Sequence, residues 1–271
     1  MRDQRQRLAQ KYLIKNRYNN FGACLQAIKV NGFRGIHNLY ISFEYPITAI
    51  SGLNGTGKST IGQLAICGYK KPVTTRNYKR YYIKDFFPVN IADPTPFGVG
   101  SDVIYSYTTN LPKNQELTVR RMQSEWSGYK RQPERHCFYV GFTLYIPKVE
   151  RKDLSIYRAQ QIELGLRREL SDISKQHVSR ILNNNYDDIA FQKITHLNKT
   201  GELGLASRNG NIYSENNMGF GEGRLLYMVD LMENSPEQSL FVIEEPETSL
   251  HEDAQHHLAN YFLVFFNRRH H

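Results

Sequence analysis

A glycine-rich run followed by lysine and serine has the residue types and spacing of a phosphate-binding loop. Residues 52–60 read Gly-Leu-Asn-Gly-Thr-Gly-Lys-Ser-Thr, which fits the pattern Gly-x-x-x-x-Gly-Lys-Ser/Thr. In such a loop, backbone N–H groups and the positive end of the following helix face the phosphates. Lys58 would reach the β and γ oxygens, and Ser59 would bind Mg²⁺. We expect ATP to be held by Asn54, Gly55, Thr56, Gly57, Lys58, Ser59 and Thr60.

The segments on both sides of this loop fit the strand, loop and helix order that the motif requires. Residues 47–50 are mostly apolar and predict a buried strand, whereas residues 60–66 suit a helix. The alternative is a glycine-rich turn in which the Lys-Ser pair occurs by chance.

Two adjacent carboxylates form the second group of residues with evident chemistry. Glu244 and Glu245 directly follow the apolar residues 240–243, and open α/β sheets bind ligands at the carboxyl ends of their strands. Such a pair can divide two tasks, with Glu244 holding Mg²⁺ and Glu245 deprotonating the attacking water as general base. The alternative is an acidic turn before a helix, because Ser249 and Glu252 have the spacing of a capping box.

Composition indicates a globular protein of one large or two small domains. The 271 residues are 40% hydrophobic and 23% charged, and no run approaches the roughly 18 apolar residues that a membrane span needs. The basic N-terminus lacks the apolar core of a secretory signal. The three cysteines are unclustered, which favours reduced thiols. We therefore expect a cytoplasmic protein that does not insert into membranes.

Positive charge is concentrated in a few segments. The formal net charge is +9, and residues 1–20 contain six Lys or Arg but a single Asp. Cations alternate with aromatic residues in 76–84 and recur in 120–131. This combination suits DNA, through phosphate neutralisation and base stacking. A solvated basic face or a docking face for an acidic protein is an equal alternative.

The N-terminal cations mark a basic leader, 1–24, and residues 25–271 are expected to form one domain. Within the domain, residues 25–30 and 39–43 alternate as the strands of a hairpin. The proline-rich interval 69–150 predicts short strands and ordered loops. Apolar residues in 151–184 recur at three- and four-residue spacing, which predicts a helical lobe.

In combination, these motifs resemble the ATP-binding cassette (ABC) ATPases of the SMC/RecF kind, and within them the OLD (overcoming lysogenisation defect) branch. The resemblance rests on the hairpin that leads into residues 50–60 and on Glu-Glu-Pro-Glu, followed by Leu-His, in residues 244–251. It implies an α/β fold of the P-loop NTPase class and ABC type, with an antiparallel β subdomain and a helical lobe. It also implies a glutamine near Mg²⁺, for which Gln115, Gln123 and Gln132 are candidates.

Residues 217–224 resemble the ABC signature, which contacts the γ-phosphate bound by a second subunit. Gly219, Gly221 and Glu222 would make those contacts, with Gly219 in the place of the usual serine. ABC folds continue into a strand that ends in a switch histidine. The chain has no such strand after residue 266, so the resemblance predicts a C-terminally truncated ATPase whose apolar residues 262–266 lack part of their cover.

The resemblance implies an ATPase that forms a head-to-tail dimer with itself or with a related ATPase. Its expected role is the regulation of a nuclease or another effector in anti-phage defence or DNA handling. Two alternatives remain open. One is an ATP-sensing module that does not hydrolyse ATP, and the other is an ABC transporter ATPase subunit, which Glu-Glu-Pro-Glu and the long interval before residue 217 disfavour.

Overall fold

A computed structural model describes residues 2–73, 78–92, 95, 97–111, 113–146 and 160–269. The chain divides into two units, each built from separated segments. Unit 1 comprises Met1–Tyr139, Pro236–Ile243 and Leu263–His271, and unit 2 comprises Val140–Ser235 and Glu244–Phe262. The helices are α1 (Arg2–Tyr12), α2 (Ile14–Phe21), α3 (Lys58–Ile66), α4 (Ile83–Phe86), α5 (Asp172–Leu182), α6 (Phe220–Glu233) and α7 (Glu252–Arg269). The strands are β1 (Leu25–Phe33), β2 (Leu39–Ser42), β3 (Phe97–Tyr107), β4 (Gln115–Met122), β5 (Glu125–Ser127), β6 (Cys137–Val140), β7 (Glu163–Glu169), β8 (Asp188–His196), β9 (Lys199–Arg208), β10 (Asn211–Ser214) and β11 (Leu240–Ile243).

Unit 1 contains an antiparallel sheet in the order β2-β1-β3-β4-β5. The predicted hairpin is confirmed, since β1 and β2 pair with Ala27 opposite Ser42 and Val30 opposite Leu39. In the described part of the interval 69–146 the helix α4 has only four residues, as predicted, but β3 has 11 residues, so the prediction of short strands is wrong for β3. One face of the sheet packs into the core of unit 1 with α3 and with side chains of β11.

β11 pairs with β6 in a two-stranded sheet. The backbone N–H of Leu240 donates to His136 O at 2.8 Å, and that of Glu244 donates to Val140 O at 3.0 Å. Both bonds join residues 104 apart, so the two strands are parallel. The predicted strand over 240–243 is thus confirmed, although its side chains are half-buried.

The segment predicted as a basic leader is folded into unit 1 as α1 and α2. Leu8, Tyr12 and Phe21 are buried. Lys11 Nζ donates to Asn267 O at 2.5 Å, so one of the predicted DNA-binding cations holds the end of α7. Residues 1–24 therefore contribute three side chains to the core, although Ile14 in the same segment is 84% exposed.

The apolar residues 262–264 of α7 are half-buried, whereas the two that follow are buried. Phe265 and Phe266 are 0% and 8% exposed. Their rings lie 5.9 and 6.2 Å from the ring of Phe241 in β11. Asn267 Nδ2 also donates to Gln4 O at 2.6 Å, which joins α7 to α1.

Unit 2 contains a second antiparallel sheet, in the order β10-β9-β8-β7, together with α5, α6 and the first part of α7. α5 is a helix within the interval predicted to be helical, and Ser171 Oγ caps it by accepting from Ser174 N at 3.1 Å. The helical lobe itself stays a prediction. Over residues 163–169 the helix prediction is wrong, because these residues form β7 and pair with β8. Leu164 and Leu166 are two residues apart, which also fits a strand, and Gly165 between them disfavours a helix. The predicted helical residues 151–159 lie outside the described part of the chain.

None of the helices in the described ranges has both the length and the apolar content needed to cross a bilayer.

A buried arginine joins three segments of unit 1. Arg135 is 9% exposed. Its Nε donates to Gln238 O at 2.5 Å, ahead of β11, and its Nη2 donates to Phe21 O at 2.7 Å, at the end of α2. Nη1 donates to the hydroxyl of Tyr69 at 3.3 Å. The guanidinium thus satisfies acceptors that would otherwise be buried without partners.

Replacing this arginine should destabilise unit 1. We expect Arg135→Met to lower the free energy of unfolding by about 3 kcal/mol, because buried acceptors lose their donor. Urea unfolding followed by circular dichroism measures the change. Arg131→Met, at an exposed position nearby in the sequence, serves as the control and should stay within about 0.5 kcal/mol of the parent protein. Equal stabilities of the two variants would contradict the role given to Arg135.

Candidate functional site

The glycine-rich loop leads directly into α3 and needs glycine at its last position. Gly57 is the N-cap of α3, with φ +94°. A side chain is strained in this left-handed region. A Cβ at Gly57 would also lie 3.0 Å from Cδ1 of Ile36, which follows the turn between β1 and β2. The hairpin thus packs against the end of the loop, and both constraints exclude larger residues at position 57.

Lys58 lies over the loop that it follows. Its Nζ donates to Gly52 O and to Leu53 O, both at 2.8 Å. Thr56 Oγ1 donates to Leu53 O, also at 2.8 Å. These bonds hold the loop in a closed turn. Lys58 is half-buried as a residue and its bonds lie at the surface, so its ammonium can exchange carbonyl oxygens for phosphate oxygens without leaving a buried charge.

The remaining predicted phosphate ligands differ in exposure. Asn54, Gly55 and Ser59 are exposed, whereas Thr60 is 3% exposed and packs into unit 1. An ammonium, an exposed hydroxyl and the N-terminus of a nine-residue helix therefore lie together. This donor set fits a polyphosphate with Mg²⁺.

The predicted strand before the loop is wrong, since residues 47–50 are not in a strand. Ile50 is 39% exposed. A strand needs a neighbour for its backbone groups, and no described strand pairs with this segment. Pro46 additionally removes a donor at the start of the run. After the loop the prediction holds, because α3 is a helix.

α3 packs on β11, the strand that precedes the two carboxylates. Leu240 and Val242 of β11 contact the core cluster that includes Ile61 and Leu64 of α3. The helix that begins at Lys58 and the strand that ends at Ile243 are therefore direct neighbours inside unit 1. The carboxylates themselves belong to unit 2.

The two carboxylates have different surroundings. Glu244 is half-buried, and its Oε1 is out of contact with water and has no hydrogen-bond partner among the described residues. Glu245 is exposed, and Thr248 Oγ1 donates to its Oε2 at 3.2 Å. An unpartnered carboxylate oxygen suits a cation, and an exposed, oriented carboxylate suits contact with water. These surroundings fit the division of tasks expected for the pair.

Within the described ranges, no three His, Cys, Asp or Glu side chains form a cluster that could hold a metal ion. A Mg²⁺ ion bound together with nucleotide does not need one. It typically takes one or two protein oxygens, and substrate phosphates and water supply the rest. Ser59 and Glu244 are the residues predicted for that role.

The segment that resembles an ABC signature forms the start of α6. Gly219 is its N-cap, with φ −64° and ψ 155°, and it is exposed. A Cβ there would meet no atom within 4 Å, whereas a Cβ at Gly221 would overlap the carbonyl oxygen of Ser249. Gly221 is therefore required for close packing of α6 against the turn that follows the carboxylates.

Glu222 is bonded within its own unit. Its Oε1 accepts from the hydroxyl of Tyr186 at 2.6 Å and from the hydroxyl of Tyr213 at 2.7 Å. Burial, and then the bond to Glu222, raises the pKa of Tyr186, so this hydroxyl remains a donor at neutral pH. The nucleotide contact of Glu222 stays a prediction. The two tyrosine hydrogen bonds to Glu222 anchor the start of α6 to β10 and to the segment before β8.

Sequence reasoning missed Arg224, which is 3% exposed. Its Nη1 donates to Glu245 O at 2.7 Å, and its Nη2 donates to Glu244 O. The guanidinium lies 5.2 Å from the ring centroid of Phe142. Burial lowers the pKa of Arg224, and the nearby carboxylates oppose that shift. The sequence feature that could have indicated this role is a single cation inside the otherwise apolar stretch 223–229.

The candidate Mg²⁺-associated glutamines lie in different settings. Gln132 is 1% exposed, and its Nε2 donates to Cys67 O at 2.9 Å. It also accepts from Arg80 Nη2 at 3.2 Å. Gln115 and Gln123 are exposed. Gln132 thus has a structural role in the core, and the choice between the other two stays open.

Comparison with family models gives two matches. Residues 27–68 match an AAA domain, and residues 146–271 match an AAA ATPase domain. Both matches are to AAA-type ATPases. The AAA match over 27–68 contains the glycine-rich loop, and the AAA ATPase match contains Gly219, Glu244 and Glu245. Comparison with curated proteins found no match.

The two AAA matches support an ATPase of the AAA/SMC/RecF-like kind and indicate ATP binding and hydrolysis. The mixed α/β structure fits a P-loop NTPase. AAA ATPase domains bind nucleotide, usually with Mg²⁺, which agrees with the donor set around Lys58.

Two neighbouring glycines should respond differently to substitution. We expect Gly221→Ala to lower the free energy of unfolding by about 2 kcal/mol, because its Cβ overlaps Ser249 O. Gly219→Ser should leave stability within about 0.5 kcal/mol of the parent protein, since space is open and serine is a good N-cap. Thermal and urea unfolding of both variants provide the measurement. A destabilised Gly219→Ser beside an unaffected Gly221→Ala would contradict the described packing of α6.

Proposed function

We propose that the chain is a Mg²⁺-dependent ATPase of the ABC type and the OLD branch, and that it hydrolyses ATP through Lys58, Ser59, Glu244 and Glu245. The observation that carries this proposal is the arrangement at the start of α3. There the left-handed Gly57 starts the helix, and the ammonium of Lys58 lies over the loop at its N-terminus. The AAA similarity of residues 27–68 supports the same reading.

Each protein group has a separate role in the proposed reaction. Lys58 neutralises charge on the β and γ oxygens, and the N–H groups of the loop orient the phosphates. When bound, Mg²⁺ neutralises the charge that develops on the phosphates, and Ser59 and Glu244 would hold it. Glu245 accepts a proton from the attacking water. Thr248 supports this step because its hydroxyl already orients Oε2 of Glu245.

The proposed assembly is a head-to-tail pair with a second copy or a related ATPase. Gly219, Gly221 and Glu222 would lie at the nucleotide of the neighbouring subunit. Two observations support this arrangement: Gly219 is exposed, and it begins a 14-residue helix whose positive end favours an anion.

The proposed biological role is regulation of a nuclease or another effector, in anti-phage defence or DNA handling, in the cytoplasm. It rests on the family resemblance. DNA remains a proposed partner, although several cations of the basic segments have internal partners. Arg7 forms an ion pair with Asp3 at 2.7 Å, and Arg17 donates to Tyr12 O at 2.8 Å. Exposed cations such as Lys15, Lys84 and Arg131 are the better candidates for phosphate contacts.

An ATP-sensing module without turnover is the second candidate function. Three observations favour it: Gly219 provides no hydroxyl, Glu222 is occupied by two tyrosines, and residues 47–50 do not form the strand that usually supports the loop. A transporter ATPase subunit has no comparable support.

Removal of the lysine tests nucleotide binding. We expect Lys58→Ala to weaken Mg·ATP binding at least about 100-fold, because no other cation of the loop replaces its charge. Isothermal titration calorimetry with a non-hydrolysable ATP analogue measures this loss. Lys84→Ala, at an exposed position on α4, is the control. Unchanged affinity of Lys58→Ala would remove the loop from the proposed site.

Removal of the general base separates the two candidate functions. We expect Glu245→Gln to retain ATP binding and to lose turnover by about 100-fold or more. The exposed neighbour Glu247→Gln should keep activity close to that of the parent protein. Steady-state phosphate release at saturating Mg·ATP, with an EDTA control, gives the rates. If the parent protein binds ATP but turns over no faster than Glu245→Gln, the sensing module is the correct function.

Salt dependence tests the proposed DNA contacts. Binding to a double-stranded oligonucleotide should weaken steeply between 50 and 200 mM salt, because each contacted phosphate releases counterions. The combined substitution of Lys15, Lys84 and Arg131 by Gln should reduce both the affinity and the salt slope. Fluorescence anisotropy provides the measurement. If DNA affinity changed neither with salt nor with these substitutions, Lys15, Lys84 and Arg131 would not be the residues that contact the phosphates.

A further inference from the structure

The backbone of Glu245 has a left-handed conformation that needs support. Its φ is +43°, a value that costs a non-glycine residue roughly 1 kcal/mol or more unless surrounding contacts fix it. Glu245 is exposed and lies just beyond the end of β11, so the strand ladder does not hold it. Other contacts must therefore hold the turn.

Arg224 provides those contacts from the first turns of α6. Its two terminal nitrogens donate to the carbonyl oxygens of Glu244 and Glu245, so one planar group fixes two consecutive peptides. The guanidinium is buried, and the ring of Phe142 covers it. A planar fork with several donors suits this task, whereas the single ammonium of a lysine does not.

Thr248 completes the support of the same residue. Its backbone N–H donates to Glu245 O at 3.1 Å, and its hydroxyl donates to the carboxylate at 3.2 Å. The carbonyl of Glu245 thus accepts from both Arg224 and Thr248, which closes the turn. The same turn also sets the orientation of the Glu245 carboxylate.

We propose that Arg224 is a positioning residue for Glu245 and that it links the start of α6 to the general base. The inference rests on the proposed ATPase function. α6 begins at Gly219 and Gly221, which are expected to face the nucleotide of a neighbouring subunit, and Gly221 packs directly against Ser249 O in the turn after Glu245. A displacement of α6 would therefore also displace the carbonyls that orient Glu245.

The test compares Arg224→Ala and Arg224→Lys with the control Arg168→Ala. Arg168 is a matched arginine because it also makes two hydrogen bonds to α6, at 2.7 and 2.9 Å to Asp230, and also packs on an aromatic ring, that of Phe191. In Arg224→Ala we expect kcat to fall about 100-fold, since a small displacement of a reacting group has such an effect. ATP affinity should stay close to that of the parent protein. Ethylguanidinium should restore part of the turnover of Arg224→Ala and none of that of Glu245→Gln.

Hydrogen exchange provides a readout that does not depend on turnover. The amides of Thr248 and Leu250 donate within the turn, to Glu245 O and Glu247 O. We expect both to exchange faster in Arg224→Ala, while Arg168→Ala leaves them unchanged. Arg224→Lys, which retains the charge, should show intermediate exchange and turnover, and it keeps the test valid if Arg224→Ala does not fold.

The outcomes separate this inference from the proposed function. A parent protein without turnover would remove the ATPase proposal, and the exchange rates would still decide whether Arg224 holds the turn. Parent-like exchange of Thr248 and Leu250 in the Arg224 variants would overturn the inference. It would also be overturned if Arg168→Ala lost as much kcat, or if ethylguanidinium had no effect.

Discussion

The guanidinium of Arg135 is the contact on which the arrangement of unit 1 depends. It bonds to the carbonyls of Phe21 and Gln238, and so it joins the N-terminal helices to the start of β11. β11 in turn supports α3, the helix that begins at Lys58. A buried cation that satisfies several acceptors stabilises a fold mainly because its removal leaves those acceptors unpaired. The position of the phosphate loop thus depends on a residue far from it in the sequence.

Local patterns were sufficient for elements whose own residues show a clear period, including β11, whose partner β6 is distant in sequence. The hairpin of β1 and β2, helix α3 and strand β11 each follow from a few residues with the correct period and turn. The predictions for residues 47–50 and 163–169 were wrong for a different reason. A strand is stable only when its backbone groups bond to a neighbouring strand, and the sequence does not show which strands have an unpaired edge. Residues 47–50 pair with no described strand, whereas residues 163–169 pair with β8.

The same distinction applies to the site. Residues 52–60 form a loop whose chemistry is local, so its composition predicts its shape. The surroundings of Glu245 are not local, because Arg224 reaches it from another helix and Phe142 covers that arginine from a third segment. Glu222 was predicted from its place in a motif, and only the fold brings Tyr186 and Tyr213 to its carboxylate. Motifs thus predict which groups react, while the contacts that orient them depend on tertiary structure.

The bond between Lys11 and Asn267 has a consequence for the order of folding. It closes a loop of 256 residues, and unit 1 draws on segments from both sides of unit 2. Closing so long a loop costs entropy before any contact repays it. Residues 140–235 are continuous, and their hairpins and helices make mostly local contacts. We therefore expect the sheet of β7 to β10 to form early and the distant segments of unit 1 to join later. The phosphate loop would then acquire the support of β11 late in folding.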